Sequence, residues 1–141
     1  MSIMTGNMAV NAVVKHINEA KIVATYEDEY SKRRKLVAYK YEKPAEIKGE
    51  YIVVNHLPFI HNNVVQEGLV NINIHVPALR INLPNVKRLS ELANKIIELF
   101  PEGTYLEKAF YEFMTDSRPT LDDDNTYYIN IQINVTYNNL N

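Results

Sequence analysis

Between Tyr127 and Tyr137, Ile129, Ile131, Ile133 and Val135 alternate without a break with Asn130, Gln132, Asn134 and Thr136, and this constrains the chain more than any other feature. Side chains of an extended strand point to opposite faces in turn. A period of two therefore puts every branched apolar group on one side and every neutral polar group on the other. A helix would scatter both sets around its circumference. The same period recurs within residues 64–76, where Val70, Ile72, Ile74 and Val76 alternate with Asn71, Asn73 and His75. Two long strands, each apolar on one side, demand a core built from further strands or from helices.

Helical spacing occurs twice. From Asn7, which the sequence offers as an N-cap, Ala9, Val10, Val13, Val14, Ile17 and Ala20 line one face of a first helix. Leu89, Leu92, Ala93, Ile96, Ile97 and Phe100 mark a second over residues 85–100, ended by Pro101 and Gly103. At about 1.5 Å per residue that helix is about 24 Å long. The β-rich runs 36–41 and 51–54 read as strands, joined by a connection over 42–49 that contains Pro44 and Gly49. Residues 104–114, with Tyr105, Tyr111 and Phe113, favour a strand over a short helix. Residues 22–35 follow neither period and read as a strand or an exposed arm. The order helix, strands, helix, strands lacks regular βα alternation. It predicts an α+β fold, an antiparallel β-sheet of four to six strands with two α-helices packed on one face. At 141 residues the chain reads as one domain, 1–141, without repeat or linker.

Composition narrows the chemistry. A hydrophobic fraction of 46% with 23% charged residues suits a folded chain and not a disordered one. The absence of cysteine excludes disulfides, thiol nucleophiles and thiolate zinc sites together. A formal net charge of -2 supplies no basic field for a phosphate backbone. No window approaches the roughly 20 apolar residues of a membrane span, and residues 1–14 lack the early positive charge and apolar run of an export signal.

Catalytic patterns are thin. His16, His56, His61 and His75 are scattered, and His56 and His61 do not have the i, i+4 helical spacing of a zinc protease. Asp122, Asp123 and Asp124, with Asp116 nearby, offer oxygen ligands that a hard divalent cation takes. A solvated turn before a strand accounts for the same cluster, because adjacent carboxylates in an irregular turn diverge and the EF-hand spacing is missing. There is no Gly-rich phosphate loop and no G-x-S-x-G elbow. The basic run Lys32, Arg33, Arg34, Lys35 follows Glu27, Asp28 and Glu29, so it is neutralised locally or meets an identical neighbour as readily as it meets a nucleic acid. The expectation is a protein that is not an enzyme, with no cofactor and no metal.

The polar strand faces are more informative. A face washed by solvent ordinarily carries Lys, Glu and Arg, whereas these carry Asn71, Asn73, His75, Asn130, Gln132, Asn134 and Thr136. Neutral groups are covered by another subunit at lower desolvation cost than ions, provided partners satisfy them. All seven are therefore interface candidates. The competing account is an asparagine-rich composition that fills exposed sites indifferently, visible also at Asn62, Asn63, Asn138 and Asn139. Ten tyrosines and no tryptophan lean towards contact surfaces, since tyrosine joins an apolar ring to a hydroxyl.

The arrangement of an N-terminal helix, the segment Glu50-Tyr-Ile-Val-Val-Asn55, the strand Gly68-Leu-Val-Asn-Ile-Asn-Ile-His-Val76, the helix over 85–100, a β region and the strand Tyr127-Tyr-Ile-Asn-Ile-Gln-Ile-Asn-Val135 resembles a known family. It is similar to the tail terminator (tail completion, head-tail joining) proteins of tailed bacteriophages and prophages, over residues 8–138. The likeness lies in arrangement and carries no catalytic motif. It implies α+β subunits in a ring, typically a hexamer, that caps the tail tube, stops its growth and docks to the head connector or stopper protein. Partners would then be the chain itself, the tail tube protein and the connector. DNA would pass through without specific binding, no membrane would be involved, and the location would be the virion tail or neck after assembly in the host cytoplasm. The resemblance would let Asp122, Asp123 and Asp124 face the lumen and let the 42–49 connection order on docking. The charged segment 26–35 departs from many relatives. Two alternatives are a small metal-dependent enzyme using Asp116 and Asp122 to Asp124, and a sheet-based module binding a peptide or small ligand.

Overall fold

Thr5 starts the first helix. In the computed structural model, which describes residues 4–27, 33–61, 65–122 and 125–138, its Oγ1 accepts the Met8 amide at 3.2 Å and α1 spans Gly6–Glu19. The expected cap, Asn7, lies inside the first turn, where its Oδ1 accepts from the Tyr41 hydroxyl at 3.0 Å. Thr5 takes the role because its backbone is extended (φ -96°, ψ 160°), as a capping residue requires. The second helix, α2, spans Val86–Ile97 behind Asn85, whose Oδ1 accepts the Arg88 amide at 3.2 Å. It ends before the expected Phe100 because its last bonds tighten to a three-residue spacing, Leu99 N to Ile96 O and Phe100 N to Ile97 O, each 3.0 Å, ahead of Pro101.

Residues 22–35 form a hairpin in their described part: β1 (Val23–Glu27) pairs antiparallel with β2 (Arg33–Lys35) as a separate two-stranded sheet, with Glu27 opposite Arg33. Asp28, Glu29 and Lys32 lie outside the described residues, as do Asn62, Asn63 and Asn139. The remaining strands are β3 (Ala38–Lys40), β4 (Tyr51–His56), β5 (Ile60–His61), β6 (Val65–Pro77), β7 (Thr104–Leu106), β8 (Ala109–Asp116), β9 (Thr120–Leu121) and β10 (Thr126–Asn138). They make one eight-stranded sheet in the order β3-β4-β6-β10-β8-β7, with β5 on β6 and β9 on β10.

The α+β class stands, but the sheet is larger than four to six strands and is not wholly antiparallel. Two of the added strands, β5 and β9, have two residues each. Residues 104–114 also divide into the β7–β8 hairpin, turned by Glu107 and Lys108 at φ 47° and 73°, the pair of positive φ values a two-residue hairpin needs. Strand β3 runs parallel to β4. A tight turn cannot return a chain in parallel, and residues 41–50 supply the longer route. That route is entered at Tyr41, φ 65°, and left at Gly49, φ 89°.

At the centre, β10 pairs with β6 from Thr126 opposite Pro77 to Asn138 opposite Val65. Ile129, Ile131 and Ile133 thereby face Ile74, Ile72 and Val70 across the ladder, and Ile52 and Val54 of β4 extend the same side. Val10, Val13 and Ile17 of α1 and Leu89, Leu92 and Ile96 of α2 are buried in the same core. Fully burying one such side chain contributes about 1.5–3 kcal/mol. Both helices thus meet the isoleucine side of the long strands. The opposite side carries the candidate groups. Among the described residues, no helix is long and apolar enough to cross a membrane.

Candidate functional site

Strand register assembles the polar side row by row across β4, β6 and β10. One row is Asn55, Asn71 and Gln132; the next is Val53, Asn73 and Asn130; the third is Tyr51, His75 and Tyr128. Directly opposed side chains on one face are close enough to bond, and here they do. Asn71 Nδ2 donates to Asn55 Oδ1 at 2.9 Å, while Asn71 Oδ1 accepts from Gln132 Nε2 at 3.1 Å and from Asn130 Nδ2 at 3.2 Å. Asn130 Nδ2 also reaches Asn73 Oδ1 at 2.8 Å. Further along β10, Asn134 Nδ2 donates to Thr136 Oγ1 at 3.4 Å. The result is a continuous ladder of half-buried, uncharged amides over three strands. Among the described residues no acceptor meets Nδ2 of Asn55 or of Asn73, so the ladder retains donors for a partner to use.

His75 shares this side but does not present a free edge. Its ring is stacked between Tyr51, with centroids 4.4 Å apart and planes at 11°, and Tyr128, at 5.1 Å and 29°. Only 5% of the residue is exposed. Its Nδ1 lies 3.0 Å from Thr126 Oγ1 and 3.5 Å from Asp122 Oδ2. His75, one of the interface candidates, is therefore the packed end of the ladder, covered by two aromatic rings from neighbouring strands. Beside it a cleft of about 410 Å³ is lined by Tyr41, Lys43, Val53, Asn55, Asn73 and Tyr128. Lys43 Nζ sits 5.3 Å from the centre of the Tyr51 ring, a cation–π contact.

Among the described residues the carboxylates do not gather. The Asp122 amide donates to Thr126 O at 2.9 Å, closing the turn, and its carboxylate is directed at His75. Asp116 is exposed at the end of β8, while Asp123 and Asp124 lie outside the described residues. His16 and His56 are engaged by backbone carbonyls: His16 Nε2 lies 2.7 Å from Leu99 O, joining α1 to the segment after α2, and His56 Nδ1 lies 2.8 Å from Leu57 O. Among the described residues no group of three or more His, Asp or Glu is placed to hold a metal ion.

Among the described residues the shortest ion pair lies on the helix side. Arg88 Nε and a terminal nitrogen donate to the two oxygens of Glu50 at 2.8 and 3.0 Å, and the same terminal nitrogen reaches Val23 O at 3.0 Å. This fork ties α2, the start of β4 and the β1–β2 hairpin together. The hydrogen bond to Glu50 raises the Arg88 pKa, against the lowering effect of burial. Sequence reasoning missed this pair, since nothing in the spacing of residues 50 and 88 connects them. It also missed Asn55 and the two tyrosines that pack His75. Asn55 was detectable, because Tyr51, Val53 and Asn55 already alternate with Ile52 and Val54. A comparison of the chain with protein-family models finds no match, and a comparison with curated proteins finds none.

Proposed function

We propose that this chain is a structural subunit of a closed ring in a tailed bacteriophage or prophage particle, a tail terminator (tail completion, head-tail joining) protein that caps the tail tube and docks to the head connector. The observation that carries the proposal is the amide ladder of Asn55, Asn71, Asn73, Asn130 and Gln132. Its members hold one another in place, so a neighbour meets a surface already ordered, and little side-chain entropy remains to be lost on contact. They are uncharged, so covering them removes no ion from water. They lie on the sheet side away from both helices, where a second layer has room to pack.

The order of elements supports the same conclusion. The helix, the 51–56 strand, the 65–77 strand, the second helix, a β hairpin and the long 126–138 strand follow one another as the family resemblance requires. In this proposal both helices belong to the inner layer of the subunit and the ladder to the contact between subunits. The work done is binding and positioning, with no covalent step. Partners are further copies of the chain, the tube protein and the connector, and the genome passes through the ring without being read.

The test is light scattering on a size-exclusion column, with negative-stain microscopy of the purified protein alone and mixed with tail tubes. Discrete rings, free or seated on tube ends, are expected. A monomer at every concentration that also leaves tube ends bare overturns the proposal.

A further inference from the structure

Two ordered apolar loops project from opposite ends of the sheet. The first, residues 78–85, leads from β6 to α2 and exposes Leu79 at 62%, Ile81 at 83% and Val86 just beyond it at 51%. It is not a slack connection. Leu79 N donates to Leu83 O and Leu83 N to Arg80 O, both at 2.9 Å, Asn82 turns the chain at φ 62°, and Ala78 N is anchored to Asn125 O at 3.3 Å. The second is the run Leu57, Pro58, Phe59, Ile60 between β4 and β6, which exposes Ile60 at 71% and Leu57 at 42%. It is equally fixed: Leu57 N donates to Leu69 O at 2.9 Å, and the Phe59 ring fills the space where Gly68 lacks a Cβ. Scattered exposed apolar residues are ordinary on a protein surface, but grouped ones on a backbone already ordered mark contact surfaces.

The two loops complement each other in charge. Arg80 stands between Leu79 and Ile81 on the first loop and is exposed, while exposed Glu67 is the cross-strand partner of Ile60 on the second. They cannot meet within one subunit, because β6 carries the chain from Glu67 to Pro77 between them, about 33 Å at about 3.3 Å per residue. They can meet between subunits. We propose that residues 79–83 of one copy dock on residues 57–60 of the next, with Arg80 facing Glu67, and that this head-to-tail contact, made together with the ladder contact, closes the ring. A contact between two different patches is heterologous, and repeating it about a rotation axis gives a closed ring. The inference rests on the proposed assembly function and names the surfaces that perform it.

The test uses the full chain and two substitutions at exposed positions, Ile81→Asp and Ile60→Asp, with circular dichroism melts to verify that each variant keeps the wild-type fold. Light scattering is expected to show rings for the wild type and monomers for each variant, with half-assembly displaced by about 100-fold or more in concentration. An equimolar mixture of the two variants is expected to stop at a heterodimer, since only one intact contact can form. Arg80→Glu and Glu67→Arg are expected to weaken assembly about tenfold each and to restore it when combined in one chain. Wild-type rings with undiminished assembly of Ile81→Asp, or a mixture that yields no heterodimer, overturn the head-to-tail contact and leave the ring standing. A wild type that stays monomeric alone and on tail tubes overturns both.

Discussion

Asn71→Asp separates folding from assembly at the node of the amide ladder. Asn71 makes three side-chain hydrogen bonds, one donated to Asn55 and two accepted from Asn130 and Gln132. The substitution keeps the shape of the side chain. The two accepted bonds become charge-assisted and stronger, while the donated bond is lost. Asn55 can turn its amide to offer Nδ2, which meets no acceptor among the described residues. A half-exposed position also keeps the new carboxylate in contact with water. The net effect on folding is therefore below about 1 kcal/mol, a melting shift below about 5 °C for a domain of this size. Assembly responds differently. A neighbour covering residue 71 must take a carboxylate out of water, a penalty of several kcal/mol. Even about 3 kcal/mol lowers the association constant more than about 100-fold. Sedimentation velocity over a concentration series, paired with circular dichroism melts, reads both quantities on one sample. Assembly within about threefold of wild type, at a corresponding difference below about 0.7 kcal/mol, refutes the argument that this face is a contact surface.

Further outcomes follow from three other sites, Arg88, Tyr111 and Thr5. Arg88→Ala removes the fork from a Glu50 side chain that is 4% exposed and is expected to cost about 3–5 kcal/mol in urea unfolding, while the double change Glu50→Leu with Arg88→Met stays near wild type; a single variant losing under about 1 kcal/mol removes the fork from the structural account. Tyr111 is 0% exposed and its hydroxyl has no partner among the described residues, so Tyr111→Phe is expected to leave stability unchanged or raise it by about 1 kcal/mol. Burial raises the Tyr111 pKa; a raised folded value means that its contribution is whole below the unfolded pKa of about 10 and fades above it, so melts between pH 9 and 11 should fall more for wild type than for Tyr111→Phe. Thr5→Ala, which removes the Oγ1 cap of α1, is expected to cost about 1 kcal/mol, read as a melting drop of about 3–5 °C.

Local periodicity made the centre of this fold legible before any coordinates. The alternation at 127–137 and within 64–76 located β10 and β6 to within a residue or two, and it assigned Asn71, Asn73, Asn130 and Gln132 to the polar side, because a period of two is a property of the strand itself. What depends on partners distant in sequence was not legible. The β3–β4 parallel pairing is one such case: a run of three residues has no period, and its direction follows from how residues 41–50 return. The burial of His75 is another. Alternation assigned its side correctly, but its cover comes from Tyr51 and Tyr128 on two other strands. The N-cap was misplaced by two residues because Asn is as good a cap as Thr in isolation, and only backbone conformation decides between them. The cluster Asp122 to Asp124 read as a unit, whereas Asp122 is directed at the His75 imidazole instead.

The place of β10 has a consequence for biosynthesis. It follows every other described element in the sequence, yet it is the only strand that joins β6 to β8. A nascent chain emerging from the ribosome at about 5–20 residues per second can form α1 and the β4–β6 pairing early. The β7–β8 hairpin has no described strand to pair with until residues 126–138 arrive. During that interval Ile72 and Ile74 are paired with Val54 and Ile52 on one side only, so the half-made protein offers the other edge of β6 to chaperones and to other nascent copies alike. Translation that stalls before residue 126 would leave an aggregation-prone fragment, and completion of one strand would convert it in a single step into a finished sheet.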